Sequence, residues 1–129
     1  MEQYEKDLKE FTDATIEALY FTDTGDNGQP AKEAELDVKT RIDLEADCRS
    51  FWRRFGCFVI SDKYRCFGTG EYSKVAQAGH DFWLTRNGHG CGFWDGDWSE
   101  TYADMLTEGS KKYGEFPICE GDDGTICGV

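Results

Sequence analysis

Tyr4, Leu8, Phe11, Thr15 and Leu19 recur at steps of four, three, four and four, a single apolar stripe of helical period. Glu2, Lys6, Lys9, Asp13 and Glu17 fall off that stripe, so the spacing predicts an amphipathic helix that ends at Phe21-Thr22-Asp23. A second helix is expected after Asp37, whose carboxylate suits an N-cap. Its buried stripe is Leu44, Cys48, Phe51 or Trp52, and Phe55, and Gly56 is a natural stop. Residues 57–60 are apolar and β-prone, and read as a short strand or as an extension of that helix. Residues 61–78 read as a long surface loop.

The third predicted helix opens on Asp97 and Glu100, which have capping-box spacing. Trp98, Tyr102, Met105, Gly109 and Tyr113 line one face, Lys111 and Lys112 suit the C-terminal dipole, and Gly114 closes it. Residues 116–120 and 125–127, separated by Gly121-Asp122-Asp123-Gly124, predict a terminal hairpin, with Pro117 keeping its strand at an edge.

A second hairpin is expected in the middle of the chain. Asn87-Gly88 between β-rich runs is a strong signal for a type I′ turn, which needs φ > 0 at both residues. Pairing outward from that turn sets Arg86 against His89, Leu84 against Cys91, Phe82 against Phe93 and His80 against Asp95. The other face then carries Asp81, Trp83 and Trp94, with Trp83 lying over Gly92. The expected fold is therefore α+β: about three helices packed on a small antiparallel sheet built from two hairpins, in one domain spanning 1–129.

Composition sharpens this picture. Nine Phe, six Tyr and four Trp supply a core for a 129-residue chain, and the formal net charge is −12. Such a charge repels nucleic-acid phosphates and anionic membranes and suits docking on a basic surface. The N-terminal Met1-Glu2-Gln3-Tyr4-Glu5-Lys6-Asp7 lacks the character of an export signal, so the expected location is cytoplasmic and the six cysteines are expected as buried, reduced thiols. Asp23, Asp26, Asn27 and Gly28 resemble the start of a calcium loop, but Gly25 and Ala34 stand where ligands are required. No cofactor and no metal is expected.

On the hairpin register, Asp81, Trp83 and Trp94 form an indole-bearing face, and Arg86, Asn87 and His89 a polar crown at the tip. These six are the expected binding residues for a protein partner. His80 beside Asp95 is the alternative, catalytic reading: a carboxylate orienting an imidazole as a general base. In a two-stranded register His80 and His89 stand roughly 20 Å apart, too far to share one zinc ion.

The run Gly79-His80-Asp81-Phe82-Trp83-Leu84-Thr85-Arg86-Asn87-Gly88-His89-Gly90, continuing Gly92-Phe93-Trp94-Asp95, resembles the signature of a family of small uncharacterised bacteriophage proteins. The resemblance extends to Glu17-Ala18-Leu19, Asp47-Cys48 with Phe51, Leu106-Thr107, Gly114-Glu115 and Asp123-Gly124. The family pattern has Ala where this chain has Cys91 and Arg where it has Gly96, which weakens any role the family would assign there. It implies a phage or mobile-element origin and no particular reaction. The expected function is that of a small acidic binder, an inhibitor of a host protein with a basic surface such as a defence or nucleic-acid-processing complex. The alternative is a small metal-dependent hydrolase or nucleotide-processing enzyme using His80, Asp81 and Asp95.

Overall fold

The computed structural model describes residues 2–22, 35–62, 73–89, 91–94, 98–120 and 125–128. They form four helices, α1 (Glu2–Thr22), α2 (Val38–Ser61), α3 (Lys74–Arg86) and α4 (Glu100–Lys111), then the strands β1 (Ile118–Glu120) and β2 (Ile126–Gly128). The fold is mostly helical, and its sheet has two antiparallel strands. The expected arrangement of three helices on a sheet of two hairpins is thus overturned, because the first arm of the central hairpin is the helix α3 and residues 91–94 of the second form no strand.

The reason lies at both ends of that segment. Ser73 caps it, its side chain accepting the Ala76 N–H at 3.1 Å. Val75, Ala78, Phe82 and Trp83 then face inward at helical spacing. At the other end, Gly88 N–H donates to Thr85 O at 3.2 Å and His89 N–H to Leu84 O at 3.0 Å. Those two bonds are the pair that defines a Schellman terminator, with Gly88 in the left-handed region at φ 73°. Asn87 has φ −95°, which a type I′ turn forbids at its first position. One left-handed glycine serves both motifs, so Asn-Gly alone does not separate a hairpin from a helix end.

The other expectations fare unevenly. In α1, Leu8, Phe11, Thr15 and Leu19 are buried as predicted, while Tyr4 remains 40% exposed. Asp37 caps α2 by accepting from Thr40 N–H at 3.4 Å. That helix runs through Gly56 to Ser61, so residues 57–60 extend it. Gly56 is tolerated because the Trp52 indole folds over it, 2.8 Å from where a Cβ would stand. Residues 74–78, expected in a loop, belong to α3; residues 63–72 and the calcium-like segment 24–30 lie outside the described residues.

Helix α4 begins after Ser99 rather than at an Asp97 cap, and Asp97 lies outside the described residues. The buried Asp62 carboxylate accepts from Ser99 N–H at 2.9 Å and from its hydroxyl at 3.2 Å, so a group distant in sequence satisfies this helix start. The terminal hairpin forms as expected, with Cys119 opposite Cys127. Residue 36 adds a parallel bridge to Ile126, which ties the hairpin to the start of α2.

Helix α1 runs antiparallel to α2 and parallel to α3, as their contacts show. Phe11 stacks on Phe51 at 5.5 Å and meets Trp52 at 5.1 Å, while Tyr4 and Cys57 line one groove further along. Glu10 bonds Ser73, Glu17 bonds His80 and Thr22 bonds Trp83, in one direction along both helices. The α1–α3 approach is close: a Cβ on Gly79 would lie 2.4 Å from Phe11 O. The Thr15 hydroxyl fills the seam, 2.9 Å from Phe11 O and 3.2 Å from Gly79 O. Phe51, Phe82 and Phe93 lie at the centre of the core and are fully buried. No helix among the described residues is long and apolar enough to cross a membrane.

Candidate functional site

As a helix, α3 distributes the candidate residues around a cylinder instead of onto two faces of a ribbon. Asp81 is 2% exposed and points inward, accepting the Trp98 indole N–H at 2.8 Å and the Gln77 amide at 3.2 Å. Trp83 is fully buried; its indole N–H donates to Thr22 Oγ1 at 3.1 Å, and its ring packs 6.0 Å from Phe116. Trp94 alone of the expected indole face is exposed, at 44%. The predicted Asp81–Trp83–Trp94 surface therefore does not form. Trp83 does not cover Gly92; Trp94 and the Thr85 hydroxyl occupy that space, and Thr85 Oγ1 accepts the Phe93 N–H at 3.2 Å.

The expected polar crown is likewise taken inward. Arg86 donates to Asp47 Oδ2 at 2.9 Å, Gly114 O at 2.8 Å and Tyr113 O at 3.1 Å. Its guanidinium also sits 5.3 Å from the ring centres of Phe82 and Phe116. Asn87 donates to Trp83 O at 2.9 Å and accepts the Phe116 N–H at 2.8 Å, joining the helix terminator to the chain entering β1. His89 follows the terminator and is half-buried.

His80 faces α1, with Nε2 2.7 Å from Glu17 Oε1. Its predicted partner, Asp95, lies outside the described residues. His80 and Asp81 leave the helix in directions about 100° apart, so the described part of the alternative catalytic set does not converge. Among the described residues no three His, Cys, Asp or Glu side chains are grouped to hold a metal ion.

Of the described cysteines, Cys48 alone is buried as expected. Cys48 is buried, and burial pushes its thiol up from 9.0 to about 12, against hydrogen bonds from Thr15 and Thr12 that act in the opposite sense. Cys57 and Cys119 are exposed and Cys127 is half-buried; Cys66 lies outside the described residues. Cys91, expected on a core face, is exposed in the loop that follows α3.

Sequence reasoning missed the partners more than the residues. Glu17, Asp47, Phe51 and Gly114, quoted above with the signature run, are groups that α3 touches: Glu17 meets His80, Asp47 and Gly114 meet Arg86, and Phe51 packs 4.5 Å from Phe82. Those four positions thus meet α3 in space, whereas Asp123 and Gly124 lie outside the described residues. The signal available beforehand was Ser73 followed by Val75, Ala78, Phe82 and Arg86, a capped helical stripe.

The outward face of α1 is acidic, whereas α2 exposes Lys39, Arg41, Arg49, Arg53 and Arg54. Helix α1, about 31 Å long at helical rise, exposes Glu2, Glu5, Glu10, Asp13 and Glu17, with Lys6 and Lys9 as its exposed cations. Lys9 is paired with Asp13 at 2.7 Å. Phe21 lies at the end of the same helix and is 63% exposed. Comparison of the chain with protein-family models, curated proteins and solved structures gives no match.

Proposed function

We propose that this protein is a non-catalytic acidic binder that docks on, and inhibits, a basic nucleic-acid-facing surface of a host protein. The observation that carries the reading is α1, which exposes five carboxylates and ends on an exposed Phe21, although Asp13 pairs with Lys9 and Glu10 and Glu17 also bond Ser73 and His80. Rows of carboxylates complement a cationic groove and speed encounter with it, while a single aromatic at the edge supplies an apolar anchor. The net charge of −12 gives the same sign to the long-range field. The resemblance to phage proteins is the ground for proposing a host protein as the partner, of the defence or nucleic-acid-processing class.

The experiment compares two tagged baits in nuclease-treated host lysate at physiological salt. One is the parent chain, and the other carries Glu5→Gln, Glu10→Gln and Asp13→Asn. The expected result is a nucleic-acid-binding protein retained by the parent, released by added salt, lost with the variant, and inhibited by the parent when purified. Equal retention by both baits, or no specific partner for the parent, overturns the reading.

A further inference from the structure

Cys119 and Cys127 stand directly opposite each other in the terminal hairpin. The kind of pair they make follows from the bonds on the far side of β2. Ile126 donates its N–H to Glu35 O and accepts the Asp37 N–H at its own carbonyl, both at 2.8 Å. Its backbone groups thus point away from β1. In a strand the next residue points the other way, so Cys127 aims its N–H and C=O at Cys119. The two cysteines are a hydrogen-bonded pair, for which the Cα separation is about 5.5 Å. That value falls inside the roughly 4.4–6.8 Å that a disulfide spans.

Directly opposed side chains share one face of a ladder. Here it is the face opposite Ile126, which is 1% exposed and turned into the core. Cys119 is exposed, Cys127 is half-buried, and both are free thiols. We propose that Cys119 and Cys127 are an oxidisable dithiol that closes reversibly into a cross-strand disulfide, with a small disulfide of the glutathione type as oxidant.

The exchange balances in two steps. One cysteine, as its thiolate, attacks a sulfur of the oxidant; the oxidant's S–S bond breaks, a mixed disulfide forms and one small thiol leaves. The other cysteine then attacks the protein sulfur of that mixed disulfide and expels the second small thiol. The two protein S–H protons end on the two small thiols, the protein pair is oxidised and the oxidant is reduced. The bond pins the register of the hairpin, and with it the rim of a groove of about 420 Å³ that Cys127 lines with Thr40, Asp43 and Phe116. Neither exposed Cys57 nor exposed Cys91 lies on a strand with an opposed cysteine, so neither has this route to closure.

The test treats the full chain with oxidised glutathione, alkylates the remaining thiols and maps them by mass spectrometry. The tryptic peptide beginning at Tyr113 carries both cysteines. The expected result is that this peptide loses two hydrogens, becomes inaccessible to the alkylating agent and is restored by dithiothreitol. Cys119→Ser is expected to leave Cys127 as the glutathione mixed disulfide. Stable mixed disulfides on both cysteines of the parent chain, or bridging of either one to Cys66 instead, overturns the proposal.

Discussion

The Arg86 guanidinium lies 2.9 Å from the Asp47 carboxylate with its own side chain only 2% exposed. It joins α3 to α2 and, through the carbonyls of Tyr113 and Gly114, to the chain leaving α4. Removing it orphans two carbonyls and a carboxylate that keeps some access to water. Arg86→Met is therefore expected to destabilise by roughly 2–4 kcal/mol in urea unfolding. Arg86→Lys is expected to recover less than half of that, because one ammonium does not reproduce a forked, stacked guanidinium.

Gly79 carries the close approach of α1 and α3. A methyl there meets the Phe11 carbonyl, which is backbone and does not swing aside. Gly79→Ala is expected to lower stability by about 1–3 kcal/mol, although alanine is the better helix former by about 1 kcal/mol. Gly88→Ala meets nothing within 4 Å, and its strain comes from φ 73° alone. It is expected to lower stability by about 1–2 kcal/mol. Thermal unfolding of the two variants checks both.

The buried Cys48 thiol gives a signed pH effect. Its folded pKa is about 12 against an ordinary 9.0, so above pH 9 the unfolded chain releases the proton first. Stability is expected to fall by up to about 1.4 kcal/mol per pH unit between those two values. Cys48→Ala is expected to flatten that slope in urea titrations at alkaline pH. In the native state at neutral pH, Cys48 is expected to resist alkylation under conditions that label Cys57.

The tryptophans report on the discarded binding face. Trp52, Trp83 and Trp98 are buried, whereas Trp94 is 44% exposed. Acrylamide is expected to quench one accessible class of emission, and Trp94→Phe is expected to remove it. Comparable quenching in the Trp94→Phe variant would show a second indole at the surface.

Several elements were legible in the residues. The stripe of α1, the Asp37 cap and the terminal hairpin follow from local spacing, because each is decided within a few residues of itself. The central segment was not, because Asn87-Gly88 satisfies two motifs and Phe82, Trp83 and Trp94 are as much at home in strands as in helices. Its alanines, its Ser73 cap and the tight seat of Gly79 on α1 decide for the helix. Asp62 capping α4 and Asp47 receiving Arg86 are long-range choices that no local pattern encodes. The candidate site fails for the same reason: a period of two puts Asp81, Trp83 and Trp94 on one surface, and a period of 3.6 sends the first two into the core.

Residues 74–86 form a helix that organises the interior, closed by Gly88, rather than one arm of a surface ribbon. Sequential amide–amide NOEs across that segment, read in a 15N-labelled sample, test this most directly. The expected result is continuous amide–amide connectivity with α-proton to amide contacts three residues ahead, ending at Asn87. Cross-strand contacts from Phe82 to Phe93 and from Leu84 to Cys91, without that connectivity, would contradict it.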